Sequence, residues 1–420
     1  MARGLYTLLL WLLLPWVLLH LRLRGKRQPE YRLHWGERFG FYGKRSAGPL
    51  IWLHAVSVGE TRAAQPLVAA LRQRFPDHRI LLTHMTPTGR QTGAELFGSD
   101  VEQAYLAYDY PAAIARFLAH WQPRFGIVME TELWPNLAAA CKTQGIPLFL
   151  ANARLSERSM RRYRRFAALV RETLQNLAGL AAQSPADAQR FGALGAEHVE
   201  TFGNLKFDLA VPADKVALGQ TFRSSIGPRP VFLCASTREG EEALLLDAWV
   251  NAPRGNALLI VVPRHPQRFA AVAALIASRG LRMQKRSDSG VIDATTDVWL
   301  GDSLGEMFAY YAASDLAFIG GSLADFGSQN LIEACAVGCP VLLGQSTYNF
   351  AQATEDALAA GAALQRGTAA ELVATALTLL ADKDDRKTMA NAGLDFAERH
   401  RGATARTVEW LERCLSRAGR

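Results

Sequence analysis

Short apolar runs ending in polar or glycine-containing turns alternate with longer amphipathic stretches along almost the whole chain, and that alternation admits few folds. Residues 50–54 (LIWLH), 79–84 (RILLTH), 125–130 (FGIVME) and 147–153 (PLFLANA) read as strands, with helical stretches at 60–75 and 89–97. Strand periodicity lapses over Asp208 to Pro230, where Pro and Gly accumulate, and restarts at 230–236 (PVFLCAS). Further strand-like runs follow at 257–265, 297–302, 315–322 and 340–345. The class is therefore α/β, with two doubly wound parallel-sheet domains in tandem. A length of 420 residues, beyond what one hydrophobic core usually organises, agrees. The expected division is a membrane anchor with its basic flank over 1–27, an N-terminal domain over 28–208, a linker over 209–229 and a C-terminal domain over 230–420.

The anchor is the run Leu5 to Leu21, LYTLLLWLLLPWVLLHL, interrupted by Pro15. At 1.5 Å per residue it covers about 25 Å, slightly short of a hydrocarbon core of roughly 30 Å, so spanning and partial insertion both fit. A cleaved signal peptide is the competing reading. It is disfavoured because the run leads into LRLRGKRQ and not into a small-residue cleavage site. The basic excess of Arg22, Arg24, Lys26 and Arg27 on the C-terminal side places the body of the protein in the cytoplasm.

Hydrophobic residues make up 49% of the chain and charged residues 20%, and neither a fixed-period repeat nor a long low-complexity tract is present, which excludes solenoids and disordered scaffolds. The net charge of +8 suits an anionic partner without naming it. A second basic cluster, Arg158, Arg161, Arg162, Arg164 and Arg165, is expected either to meet lipid phosphates or simply to face solvent. Five cysteines, without the paired spacing of a zinc site, indicate a reducing compartment.

In open α/β sheets ligands sit beyond the carboxyl ends of the strands, and two facing domains would hold a cleft between such ends. After the first strand comes His54-Ala55-Val56-Ser57-Val58-Gly59-Glu60. A glutamate there, kept ionised by a helix start, can act as general base or simply cap the helix. Glu130 and Glu132 follow another strand of the same half, as an acid pair or as first-turn residues. In the second half, Ser236-Thr237-Arg238 and Arg264-His265 end successive strands and together suggest an anion site. Gly320-Gly321-Ser322 and Gly327-Ser328-Gln329-Asn330, with Glu333 beyond, allow close backbone approach to a ligand and a carboxylate for ribose hydroxyls, or form a plain glycine-rich loop.

HAVSVGE, METELWPN, ARLSERS, GNLKFD, STREGEE, VPRHPQRF, GEMFAYYAASDLAFIGGS, GSQNLIEA and Tyr348-Asn349-Phe350 stand in the order of the signatures of 3-deoxy-D-manno-octulosonic acid (Kdo) transferases, which this chain resembles from the anchor to about residue 400. The resemblance implies a GT-B architecture, with two Rossmann-like domains facing across a cleft. It implies inverting transfer of Kdo from CMP-Kdo to a phosphorylated lipid A precursor in lipopolysaccharide biosynthesis, without a cofactor, metal or nucleic-acid partner. By position, Glu60 would be the catalytic base, and Glu130, also catalytic, would lie near the acceptor or assist the base. Lys206, Ser236, Thr237, Arg238, Arg264, His265, Gly305, Glu306, Met307, Asn330 and Glu333 would lie on the donor side. Ser57, Arg161, Arg162, Arg164 and Arg165 would face the acceptor or the membrane surface. Two positions depart from the family pattern: Ser328-Gln329 stands where many relatives read Gly-His, and Gly344-Gln345-Ser346 replaces a Gly-Pro-His-type turn. Another membrane-associated GT-B glycosyltransferase or a nucleotide-sugar epimerase is the alternative, and a non-catalytic nucleotide-binding protein a more distant one.

Overall fold

A computed structural model of the chain describes residues 1–44, 47–288 and 290–418, and leaves the side chains of Arg27 and Ala418 outside the description, the former being one member of the basic flank. The chain divides into two compact units, Met1–Leu209 joined by the segment from Arg401 onwards, and Ala210–His400.

The first unit opens with α1 (Ala2–Arg27) and continues through β1 (Leu50–His54), α2 (Val58–Ala63), α3 (Gln65–Arg74), β2 (Arg79–His84), α4 (Pro87–Phe97) and β3 (Glu102–Tyr105). Its second half runs through α5 (Pro111–Trp121), β4 (Phe125–Met129), α6 (Pro135–Thr143), β5 (Leu148–Ala153), α7 (Glu157–Arg164), α8 (Ala167–Gln175), β6 (Gly179–Ala182), α9 (Pro185–Ala193) and β7 (Val199–Thr201). The seven strands form one parallel sheet in the order β3-β2-β1-β4-β5-β6-β7. Chain direction across the sheet reverses between β1 and β4, the topological switch point where such sheets bind ligands. One helix was expected over 60–75; the structure breaks it at Ala64, because Pro66 lacks an amide donor and restricts the residue before it.

The second unit repeats the plan: α10 (Ala213–Ile226), β8 (Val231–Thr237), α11 (Glu241–Val250), β9 (Leu258–Pro263), α12 (Phe269–Ala277), β10 (Met283–Lys285), β11 (Val298–Leu300), α13 (Met307–Ala313), β12 (Leu316–Ile319) and α14 (Ile332–Ala336). Then come β13 (Val341–Leu343), α15 (Ala351–Ala359), β14 (Ala363–Gln365), α16 (Ala369–Ala381) and α17 (Lys383–Arg399). Its parallel sheet has the order β10-β11-β9-β8-β12-β13-β14, with the switch point between β8 and β12. Each sheet is buried between helical layers. In the second unit Phe232, Leu259, Leu300 and Phe318 pack under Trp249, Leu372 and Val373.

Two expected boundaries differ from the structure. The segment expected as a linker over 209–229 contains α10, a regular helix packed on α13, where Gly219 lets the two backbones approach: a Cβ there would meet the Ala312 Cβ at 2.7 Å. The end of the chain, expected in the C-terminal domain, returns to the first unit as α18 (Ala403–Ala418). Trp410 and Leu411 there complete the core beneath Phe149 and Ala181, and Asp208 accepts the amide protons of Gly402 at 2.6 Å and Thr404 at 2.5 Å. An amphipathic stripe says that a helix packs on something. It does not say on which sheet.

Candidate functional site

In the first unit, the loop after β1 lies at the switch point. Ser57 caps α2 by accepting the amide proton of Glu60, whose carboxylate turns back to accept from the Val56 amide at 2.8 Å and from the Ser57 hydroxyl at 3.2 Å. Glu60 is thus both a helix-capping residue and a half-buried acid. It was expected to be kept ionised by the helix start, and the balance runs the other way. Burial first, then the neighbouring Glu130 and Glu132 carboxylates, push it up to about 8 against the opposing hydrogen bonds.

Glu130 follows β4, in a left-handed backbone conformation (φ 58°) that a glutamate rarely adopts. Lys206 donates to it at 3.1 Å and Arg154 lies 3.6 Å from its other oxygen. Burial alone would raise its pKa, but the two cations together hold the carboxyl below the ordinary range. Lys206 was expected beside the donor; in the structure it belongs to the first unit as the partner of Glu130. The reason is local: Asn152 at the end of β5 accepts the Leu205 amide at 3.1 Å, and Asn204 accepts that of Lys206 at 3.0 Å, which aims the lysine inward. Arg154, which the sequence reading passed over, stands one residue beyond β5 and so beside the β4 end, a placement the parallel pairing of β4 and β5 dictates. Glu132 is raised by burial and by Glu130. His54 and His84, at neighbouring strand ends, are pushed down to about 3 and about 4 mainly by burial, so both are neutral near pH 7.

The first unit therefore sets a carboxyl that titrates near neutrality beside one locked in its charged form. Any step needing Glu60 as an acceptor of protons has an acid limb near pH 8, since the carboxylate form grows as pH rises through that value. Glu130→Gln removes the nearer negative charge and leaves Lys206 and Arg154 in place, so the limb is expected to move to lower pH. A rate profile measured across pH 5–10 for both proteins reads the shift directly, and an unmoved limb would separate Glu60 from Glu130.

In the second unit the loops after β8, β9 and β12 meet at the other switch point. Their brace is Glu241, fully buried at the start of α11, which accepts amide protons from Arg238 (2.8 Å), Gly321 (2.7 Å), Leu323 (3.0 Å) and Ala324 (3.2 Å). Burial raises this carboxyl, opposed by those amides. Beside it, Glu242 accepts from Thr237 at 2.9 Å and pairs with Arg268 at 2.8 Å. Gly320 has to be glycine, since a Cβ there would collide with the Ser236 carbonyl and approach the Thr237 Cα to 2.6 Å. Neither Glu241 nor Glu242 was singled out from the sequence; both read as acidic first-turn residues, and their signal, two carboxylates opening a helix after a buried strand, is a common one.

On this frame the Arg238 guanidinium lies over the Phe326 ring at 4.4 Å and 3.3 Å from Nε2 of His265, while Arg264 donates to Gln329 at 3.0 Å. His265, expected as a further cation, is held below its ordinary range by burial and then by Arg238, Arg264 and Arg268, so the positive charge is carried by arginine. Ser236 donates to the Met307 sulfur at 3.7 Å from a left-handed conformation (φ 54°), linking the loop after β8 to α13. Glu306, at the start of α13, is gripped by Arg286 through two bonds of 3.1 Å and by Ser303 at 2.6 Å; Gly305 beside it is exposed. Asn330 donates to Glu333 at 3.0 Å and accepts from the Ile332 amide at 3.1 Å. The Tyr348-Asn349 run packs on Gly327, with the Asn349 side chain donating to Phe326 at 2.8 Å.

Ser328 occupies a left-handed position (φ 69°), where a side chain is strained, and is buried. Ser328→Gly is therefore expected to stabilise the second unit by about 1 kcal/mol, visible as a raised urea midpoint.

Among the charged residues of α7, Arg158, Arg161, Arg162 and Arg164 are exposed together with Glu157, as is Arg165 at its end, on the surface of the first unit.

Residues 33–209 match the family model described as 3-deoxy-D-manno-octulosonic-acid transferase (kdotransferase). The chain is 45% identical to the 3-deoxy-D-manno-octulosonic acid transferase of Bordetella pertussis, with 98% of this chain and 99% of that one covered. It is 37% identical to the protein of the same description from Haemophilus influenzae, over 99% of this chain and 100% of that one. A solved glycosyltransferase from Rickettsia africae superposes with a TM-score of 0.61 at 13% identity, covering 88% of this chain and 99% of that one, a likeness of fold. With two parallel seven-stranded sheets and relatives this similar over their full length, the chain belongs to the Kdo transferase family of GT-B-type glycosyltransferases.

Proposed function

We propose that this chain transfers Kdo from CMP-Kdo to a phosphorylated lipid A precursor, with inversion at the anomeric carbon, at the cytoplasmic face of the inner membrane. The observation that carries the reading is the pair of carboxyls at the first switch point: Glu60 pushed up to about 8, next to a Glu130 held charged by Lys206 and Arg154. Inverting displacement needs a group that takes the proton of the attacking hydroxyl as the new glycosidic bond forms. Glu60 is assigned that step. The bond from the anomeric carbon to the CMP phosphate oxygen breaks, and the departing phosphate keeps its electron pair.

Arg238 and Arg264 are assigned to that departing charge, with Ser236 as a further donor, while Thr237, fully buried and donating to Glu242, supports the loop that carries them. Asn330 and Glu333 are assigned to hydroxyls of the bound donor, and Gly305, Glu306 and Met307 to the wall of its nucleotide pocket. In this reading Glu130, already saturated by two cations, is an electrostatic neighbour of the base and does not move a proton itself. Ser57 orients Glu60 through its hydrogen bond. The exposed arginines of α7 are assigned to acceptor or lipid phosphates.

Incubation of the purified full-length protein with CMP-Kdo and a defined lipid A precursor, followed by mass analysis, tests the whole reading. The expected product is heavier by one or more Kdo residues. A uridine-linked sugar consumed in preference to CMP-Kdo would overturn it.

A further inference from the structure

The apolar helix α1 is docked along one side on the first unit and bare along the other. Among the described residues its polar contacts with the body include a hydrogen bond between Tyr6 and the Asp109 carboxyl and three more. Arg3 pairs with Glu172 of α8 at 3.0 Å, the Thr7 hydroxyl lies 3.1 Å from Oδ1 of the buried Asn136 of α6, and the Leu10 carbonyl accepts from the Tyr110 hydroxyl at 2.9 Å. Leu10 and Leu14 pack on the core behind them, and Leu21 is 4% exposed. At about 100° per residue, positions 3, 7, 10, 14 and 21 fall on one face of the helix. Leu5, Leu8, Leu12, Trp16, Leu19 and Leu23 fall on the opposite face, and every one of them is exposed, Leu5 and Leu12 to 69% and 70%.

A helix crossing a bilayer has to present all the surface not covered by other apolar segments to hydrocarbon. Docked as it is, α1 could cross only by drawing Arg171, Glu172 and Gln175 of α8 into the hydrocarbon with it, and such charges are costly there. Crossing alone would instead break the Tyr110–Leu10 and Glu172–Arg3 contacts and take the Thr7 hydroxyl from Oδ1 of the buried Asn136. Charge agrees with a third arrangement. Arg22, Arg24 and Lys26 are exposed at the end of α1, so cationic groups stand at the end of the apolar stripe, where anionic headgroups would meet them.

We infer that α1 lies in the plane of the membrane, its docked stripe holding it to the protein and its bare stripe inserted into a single leaflet of anionic lipid. The inference rests on the membrane association proposed above and specifies its geometry. Met1 then stays on the same side of the bilayer as the rest of the chain.

The test uses full-length protein carrying a specific protease site ahead of Met1, added to phosphatidylethanolamine/phosphatidylglycerol vesicles that are then floated. A second version carries Arg3→Cys, Glu172→Cys and Cys414→Ser, for a short bis-maleimide cross-linker. The expected result is floated protein whose tag is fully cleaved from outside, with the α1–α8 cross-link formed on the vesicles. Floated protein with a protected tag would overturn the in-plane arrangement and leave membrane association standing. Cleavage without cross-linking would overturn the docking. Protein that does not float would overturn membrane association itself.

Discussion

Glu60→Gln is expected to lower the turnover of Kdo transfer by about 10²–10⁴-fold while leaving CMP affinity unchanged. Glutamine is the informative substitution because Glu60 has two jobs. Its carboxylate accepts from the Val56 amide at 2.8 Å through one oxygen and from the Ser57 hydroxyl at 3.2 Å through the other, and glutamine keeps the first bond through its amide oxygen while its NH2 group can donate to the Ser57 hydroxyl. What glutamine cannot do is take a proton from the acceptor hydroxyl. Glu60 belongs to the first unit, and the arginines assigned to CMP belong to the second. Initial rates by product mass, with calorimetric titration of CMP on the same sample, separate the two effects. A Gln variant with ordinary turnover would remove Glu60 as the base, and a loss of CMP affinity would show that the variant had damaged more than proton transfer.

Glu241→Ala is expected to weaken CMP binding by at least about tenfold and to destabilise the second unit by about 3 kcal/mol, the scale for leaving several buried donors without a charged acceptor. Four amide protons converge on this one fully buried carboxylate, from Arg238 after β8 and from Gly321, Leu323 and Ala324 after β12. Without it, those amides face no acceptor, and the loop bearing Arg238 loses its tie to the glycine-rich loop. The urea midpoint of the second unit and CMP calorimetry measure the two consequences. Unchanged values of both would mean that the loops hold their shape without the brace.

Sequence and structure divide the account of this protein unevenly. The alternation of buried runs and amphipathic helices sufficed for two parallel α/β domains, because a strand covered on both faces by helices has to be apolar along its length. The inner strands β1, β2, β4, β5, β8 and β9 lie within a residue or two of where the apolar runs put them, whereas the inner strand β6 (GLAA), short and made mostly of small residues, gives no such signal although it is fully buried. The edge strands β3 (EQAY), β7 (VET), β10 (MQK) and β14 (ALQ) carry little apolar pattern, since an edge is covered on fewer sides and its burial is partial.

The order of motifs sufficed for the family, and strand-end position sufficed to pick out Glu60, Glu130 and Arg238. Which charges meet was decided by tertiary structure alone. Lys206 lies 76 positions from Glu130 along the chain and 3.1 Å from it in space, and Glu241 reaches loops that begin 80 positions later. The ionisation of Glu60 reversed the sequence expectation for the same reason: burial and a neighbouring carboxylate are properties of the packed unit. The helix α1 is the sharpest case. Both of its faces are apolar, so its sequence does not say which of them packs on the protein, while the polar contacts of Arg3, Thr7 and Leu10 decide which face is docked and which stays bare.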